Sequence, residues 1–445
     1  MKTIKIDPAN ALGPIKDMHG VGGGPVTQHF VYDATEDFRQ AGIPYGRTHD
    51  IEYPFGLGEF VDIHCIFKDF DKDENDPAGY NFTFTDEYLK AIQNAGAQPL
   101  YRLGSTIEHQ PIKLYVNPPE DYAKWGRICS HIISHYNDGW ADGFHMGIEY
   151  WEFWNEPDIP MCWTGSGEEF IEFYAAAAPV IKQDHPEVKV GGCAFAMPQG
   201  GLAEQWLAAV RDRGLPMDFF SWHFYPTSPR QVKELAAEVD ALLAKYGFGD
   251  VESVYDEWNY VCSWEENLQR CYDLHKEPFE CAFMAAVMSV LQDTRVSKAM
   301  YYDVQMVMSG SWNGVFGPVP ENAHAAARRP GRRPGYYALY YWNQLKQLGT
   351  QIQAETDCPD LYVTAAVGKN GKTGLLVSYF NDDAKWNQSP PPDTEIRLEI
   401  PGADRLTAYY VEDGRVNEPV LLTDGILRMK GNSCALVLSA EKNDG

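Results

Sequence analysis

Between about residues 14 and 345 the chain alternates short apolar runs with longer stretches in which apolar residues return every three or four positions. The short runs read as strands: Met18–Val21, Tyr45–Thr48, Gln98–Leu103, Tyr150–Trp154, Lys189–Ala194, Phe219–Phe224, Glu252–Glu257 and Ala299–Val304. Helix signals fall between them. Ser166 opens a capping box with Glu169, Ser228 stands before Pro229 at the start of a helix that stops near Gly247, and Thr85 caps a helix that ends at Gly96. After Pro278, the positions Phe279, Ala282, Phe283, Ala286, Val287 and Val290 form a stripe of helical period. Strands alternating with helices predict a parallel sheet, and eight repeats favour closure into an α/β (β/α)8 TIM barrel over an open doubly wound sheet.

Past about residue 350 the period shortens. Asp360–Ala366, Lys372–Tyr379, Thr394–Glu399, Arg405–Tyr410 and Ala435–Leu438 read as strands separated by turn clusters, and the proline-rich Asn387–Asp393 as a loop. This predicts a small C-terminal β-sandwich. The expected division is a barrel over 14–346 and a sandwich over 347–445, joined by the N-terminal segment 1–13 through a strand at Thr3–Ile6.

Composition narrows the function classes. A hydrophobic share of 44% with 22% charged residues excludes a disordered or fibrous chain. The longest apolar run, about Cys281–Val290, is interrupted by Ser289 and falls short of the roughly 20 residues that span a bilayer, so no membrane association is expected. Asp and Glu number 63 against 37 Lys and Arg, a net charge of -26 that repels phosphate backbones and argues against a nucleic-acid partner. The basic cluster Arg328–Arg333 reads as balancing nearby acids, and the acidic run Asp69–Asp76 as a solvated loop. Aromatic residues reach 13%, which fits either a large core or faces on which sugars stack. Nine scattered cysteines without a Cys-x-x-Cys pair, and an N-terminus without an apolar leader, give reduced thiols and a cytoplasmic location as the expectation. Gly22–Gly24 lacks a phosphate-cradling spacing, and no Gly-x-Ser-x-Gly or His-Glu-x-x-His motif occurs, so neither cofactor nor metal is expected.

In a TIM barrel the chemistry sits at the C-terminal ends of the strands. There the sequence places Arg47-Thr48-His49-Asp50, Trp154-Asn155-Glu156-Pro157-Asp158, His223-Phe224-Tyr225 and Tyr255-Asp256-Glu257-Trp258-Asn259. Two carboxylates across one mouth, Glu156 and Glu257, suit cleavage of a glycosidic bond. One protonates the leaving oxygen and the other meets the anomeric carbon, directly at about 5–5.5 Å separation or through water at roughly 6.5–9.5 Å. The two need unlike surroundings. Arg47 and the Tyr225 hydroxyl are candidates for keeping Glu257 ionised; the Trp154 wall and repulsion from Glu257 are candidates for keeping Glu156 protonated. Glu149 and Glu152 lie too early on their strand to reach the mouth. Asp256, next to Glu257, is expected to point behind the barrel, and Asp158 to fix a loop. Trp312 is a candidate floor for sugar stacking, Arg47 a candidate substrate contact, and His49 and His223 candidate contacts by their strand-end positions.

The Trp-Asn-Glu-Pro-Asp segment, followed about 100 residues later by Asp-Glu-Trp-Asn, resembles the retaining barrel glycosidases of clan A. His19-Gly20-Val21-Gly22, Arg47-Thr48-His49, Tyr80-Asn81-Phe82-Thr83-Phe84-Thr85-Asp86 and Pro334-Gly335-Tyr336-Tyr337-Ala338 are similar to family 39 of the glycoside hydrolases, the β-xylosidases and α-L-iduronidases. Asp256 stands before Glu257 where that family more often has Thr or Ser, a feature similar to the arabinofuranosidases of a neighbouring family. The resemblance implies Glu156 as general acid/base, Glu257 as nucleophile, Asn155 as a donor to the sugar 2-hydroxyl, and His49, His223 and Tyr225 as lining of the −1 subsite. It also implies a retaining, exo-acting enzyme on short neutral oligosaccharides, best matched by a β-D-xyloside, and a homo-oligomer, since family members often are.

Other readings stay open from the residues alone. They are a glycosidase of another specificity (α-L-iduronidase-like, β-galactosidase or arabinosidase), a non-catalytic sugar-binding barrel, and a metal-dependent sugar isomerase on the same scaffold.

Overall fold

The computed structural model describes residues 1–445 apart from 28–29, 55, 57, 267, 306–311, 318–329, 382–389, 403–404 and 441–445. Arg328 and Arg329 of the basic cluster and 387–389 of the proline-rich loop lie outside the described residues. The N-terminal strand β1 runs Lys2–Pro14. Eight strands then close a parallel barrel: β2 (Asp17–Gly22), β3 (Tyr45–Thr48), β4 (Gln98–Leu103), β5 (Tyr150–Phe153), β6 (Lys189–Phe195), β7 (Phe219–His223), β8 (Glu252–Trp258) and β9 (Val296–Tyr301), with β9 pairing back onto β2. The TIM barrel predicted from the alternation is therefore present. β9 begins three residues before the predicted Ala299, because Ser297 and Lys298 are polar yet have partners across the strand. Ser297 donates to the Ser253 carbonyl and Lys298 Nζ lies 2.9 Å from Glu252.

The barrel interior is layered. Leu100, Tyr150, Phe219, Val254 and Met300 fill the lower layer with apolar side chains. One step of the strand period higher, at i+2, stand Glu152, Ser221 and Asp256, with Arg47 between them. Asp256 thus points into the barrel, correcting the expectation that it points behind. It continues the inward series from Val254, and Glu257 turns toward the mouth as well because pairing slips between Trp222 and His223 on β7 and between Tyr255 and Trp258 on β8.

Helix starts follow the capping chemistry at two of three predicted sites. Ser166 and Glu169 form the reciprocal capping box, and Ser228 does the same with Gln231. Thr85 does not cap its helix, which begins at Thr83; its hydroxyl instead donates to the Phe60 carbonyl at 2.6 Å, a tertiary partner that competes with the cap. Arg332 of the basic cluster pairs with Asp37 at 2.6 Å, as a balancing charge. Among the described residues no helix is long and apolar enough to cross a membrane.

The second body is one nine-stranded sheet, mostly antiparallel. Its strands are β1, β10 (Thr350–Thr356), β11 (Leu361–Val367), β12 (Thr373–Tyr379), β13 (Thr394–Glu399), β14 (Leu406–Glu412), β15 (Arg415–Leu422), β16 (Ile426–Met429) and β17 (Ser433–Ser439), in the order β15-β14-β17-β12-β11-β10-β1-β13-β16. β1 runs antiparallel to β10 and parallel to β13. Ile396 and Leu427 from one end of that order share a core with Ala408 and Tyr410 from the other, so the sheet curls over on itself as a sandwich does. Along β12 the strand period splits the packing: Leu375 and Val377 enter this core, while Leu376 and Ser378 face the barrel. Ser378 donates to the Ala282 carbonyl of the helix Pro278–Gln292 at 2.6 Å. Pattern alone does not show β10, which is largely polar, β15, which Pro419 interrupts, or β16, which is only four residues long.

Candidate active site

The turns that follow β5 and β8 set the site. Trp154 and Glu156 both adopt left-handed backbone conformations, φ 69° and 45°. Such a conformation costs a non-glycine residue of order 1–3 kcal/mol and persists only where surroundings hold it. Here the Trp154 N–H donates to the Leu103 carbonyl at 2.6 Å, its indole N–H to the Cys162 carbonyl at 2.8 Å, and the Glu156 N–H to the Ala194 carbonyl at 3.0 Å. The turn aims Glu156 over the barrel axis and buries the Trp154 indole among Trp125, Trp163 and Phe173.

A cavity of about 750 Å³ opens at the C-terminal ends of the strands. Of the sequence-predicted residues, Asn155, Glu156, Glu257, His49, His223, Tyr225 and Trp312 all line it. Arg47 does not, correcting its reading as a substrate contact. It lies wholly buried one layer below, and its nitrogens are taken by Glu152 at 2.7 Å, Glu257 at 2.9 Å and Asn155 Oδ1 at 2.7 Å. Glu152 shares this lower layer, accepting also from Ser221. The guanidinium forks so as to orient two cavity residues from beneath.

One oxygen of Glu156, one of Glu257 and Nδ1 of His223 lie within 4.8 Å of one another. His223 Nδ1 is 2.8 Å from Glu156 and 3.6 Å from Glu257. Burial pushes the Glu156 carboxyl up to about 7, and the Asp158 charge pushes in the same direction. Asp158, which fixes its loop by accepting the Ala196 and Met197 N–H groups, thus also supplies a repelling charge on Glu156, a role expected of Glu257. Burial raises Glu257 too, while the Arg47 guanidinium and a hydrogen bond from the Tyr225 hydroxyl act to lower it. Two acids this close cannot both ionise cheaply. Glu257, bound to a cation and a hydroxyl, is the better host for the charge, and Glu156 for the proton. His223 is pushed down to about 4 by burial and is neutral near pH 7.

The same three groups form the His/carboxylate set that could close around a cation. The Arg47 guanidinium already sits on Glu257, however, and would repel a second cation there, so the donor set is better suited to moving a proton. His19 does not line this cavity; it is buried on β2 with Asp17 and Lys346 as its charged surroundings.

Several lining residues were given no role from the sequence: Asp50, placed at the mouth without one, and His109, Trp264, Tyr272 and Tyr302. Tyr302 stands at a strand end, a signal that could have found it. Trp264 lies in the loop after β8 and Tyr272 on the short helix Leu268–Leu274 that follows, and they pack around Trp312 at ring-centroid distances of 5.6 and 4.9 Å. Trp312 is therefore one face of an aromatic wall.

A family model, "Glycosyl hydrolases family 39", matches residues 2–366. A curated relative, a β-xylosidase of Caldicellulosiruptor saccharolyticus, is 25% identical over 378 residues, spanning 77% of this chain and 72% of its own. Among solved structures, a glucosidase from Croceicoccus marinus superposes with a TM-score of 0.77 at 22% identity, covering 99% of each chain. A monomeric β-xylosidase from Caulobacter crescentus gives 0.71 at 15% identity with the same coverage, which shows the shared fold. A match across most of the chain, on a barrel whose mouth gathers two carboxyls, identifies this protein as a member of family 39 of the glycosyl hydrolases.

Proposed function

We propose that this glycosidase is retaining and exo-acting, cleaving short neutral oligosaccharides as a β-D-xylosidase does. The observation that carries the reading is the approach of the Glu156 and Glu257 oxygens within 4.8 Å of each other in one cavity. That spacing is of the size used for direct attack and is too short for an interposed water. The name of the curated relative supports a xyloside, and a cavity of about 750 Å³ suits a short saccharide.

In the first step Glu257 attacks the anomeric carbon and forms a glycosyl ester. The bond to the leaving oxygen breaks, and Glu156 delivers its proton to that oxygen. In the second step the ionised Glu156 takes a proton from water, whose oxygen displaces Glu257 and releases the sugar. Arg47 and Tyr225 stabilise the Glu257 carboxylate as it leaves. Neutral His223, 2.8 Å from Glu156, holds the acid in line, and Asn155, anchored by Arg47, presents its amide N–H to the sugar 2-hydroxyl. Turnover of a panel of nitrophenyl glycosides, with the first-formed anomer read by NMR, tests this. A first product of inverted configuration refutes it.

A further inference from the structure

The two-glutamate reaction leaves one carboxylate of the cavity without a role. Asp50 follows β3 in a left-handed conformation, φ 50°, that Asp and Asn tolerate better than other residues with side chains. The Tyr302 hydroxyl donates to Oδ2 at 2.5 Å, and the Gln305 amide donates to the Asp50 carbonyl at 2.5 Å, so side chain and backbone are both held. Oδ1 has no hydrogen-bond partner and lies 3.3 Å from His49 Nε2. A carboxylate offers about four lone-pair sites, and Tyr302 fills one. Tyr302 in turn stands beside Tyr225, ring centroids 6.4 Å apart, and Tyr225 holds Glu257. Asp50 is thus one tyrosine further along the wall than the nucleophile, where the ring hydroxyls remote from an anomeric carbon would lie.

Charge sharpens the point. The described lining contains three carboxyls, Asp50, Glu156 and Glu257, and neither lysine nor arginine. Neither nearby guanidinium enters the cavity: Arg47 is spent below the floor and buried Arg102 pairs with Asp62. A sugar bearing its own carboxylate would meet like charges and find no cation.

We propose that Asp50 selects the glycone: its carboxylate accepts hydrogen bonds from the distal ring hydroxyls of an uncharged sugar and excludes a uronic acid. The inference rests on the glycosidase reading for its substrate, and on the Asp50 geometry for its residue.

The test compares wild type with Asp50→Asn, a near-isostere that tolerates the same backbone, after melting curves show both folded. Substrates are 4-nitrophenyl β-D-xyloside, its 3-deoxy and 4-deoxy analogues, and 4-nitrophenyl β-D-glucuronide. A lost hydrogen bond to a charged group corresponds to a fall of about 10- to 100-fold in kcat/KM on the xyloside. That penalty should vanish for the deoxy analogue lacking the bound hydroxyl, and the xyloside-to-glucuronide preference should shrink at least as far. Equal penalties on all three xylosides with an unchanged preference overturn the proposal. Tyr302→Phe provides a second route should Asp50→Asn not fold. It keeps the charge but frees the carboxylate, so KM for the xyloside should rise with the glucuronide still rejected; unchanged KM overturns the proposal. Quenching of tryptophan fluorescence by xylose and glucuronate, with Trp264 and Trp312 in the wall, separates the two readings. Wild-type enzyme that hydrolyses nothing but binds xylose in an Asp50-dependent way refutes the glycosidase reading alone. Binding indifferent to Asp50→Asn refutes the role given to Asp50.

Discussion

Replacing Glu156 by Gln should make the protein more stable and less active, and both effects follow from one environment. Burial, with Asp158 adding to it, moves the Glu156 carboxyl from 4.5 to about 7. Between those values the folded protein holds a proton that the unfolded chain has released. Stability contributed by this group therefore falls as pH rises through the window and is lowest above pH 7. A shift of this size corresponds to about 3 kcal/mol at about 1.4 kcal/mol per pH unit. Gln cannot ionise, keeps the shape and can still bond His223, so it removes that cost. Melting temperatures recorded from pH 4 to 8 should coincide at the acid end and separate in favour of Glu156→Gln as pH rises. The kinetics carry the other half. The alkaline limb of kcat/KM, near pH 7, should disappear in the variant. Natural alcohol leaving groups should lose about 10²- to 10⁴-fold, the usual worth of a general acid. Dinitrophenyl glycosides, whose leaving group needs no proton, should lose far less in the first step. Equal losses on both kinds of substrate refute the acid role. A stability gap that does not open with pH refutes the electrostatic reasoning.

Glu257→Ala should abolish turnover, and azide should restore part of it by giving a glycosyl azide of inverted configuration; wild-type rates in that variant would remove Glu257 from the reaction. Asp158→Asn should shift the alkaline limb to lower pH, because one of the charges that raises Glu156 is gone, and a pH–rate profile reads this directly. Arg47→Met should destabilise the fold by about 3–5 kcal/mol, since Glu152, Asp256 and Glu257 are left buried without their shared cation; the difference is measured by denaturation at pH 7. Exhaustive chelation should leave activity intact, and loss reversed by a divalent ion would turn Glu156, His223 and Glu257 into a metal site.

Periodicity in the sequence determines the barrel, because a strand buried on both faces must be apolar along its length and a helix packed on one side must repeat at 3.6 residues. The ends of those strands also single out Asn155, Glu156, His223 and Glu257, since a polar cluster closing an apolar run must face the mouth. The pattern could not show β10, which is largely polar, β15, which is half solvated and interrupted by Pro419, or β16, which is only four residues long. Nor could it show Thr85 leaving its helix cap for the Phe60 carbonyl. Tertiary structure alone decided which neighbours of the key residues face the same way. Strict alternation would split Asp256 from Glu257, yet a slip in the β7–β8 pairing turns both inward. It also put Arg47 under the floor rather than in the wall, and brought Tyr302, distant in sequence, up to Asp50. Electrostatic environment is a property of distance in space, and chain order carries almost none of it.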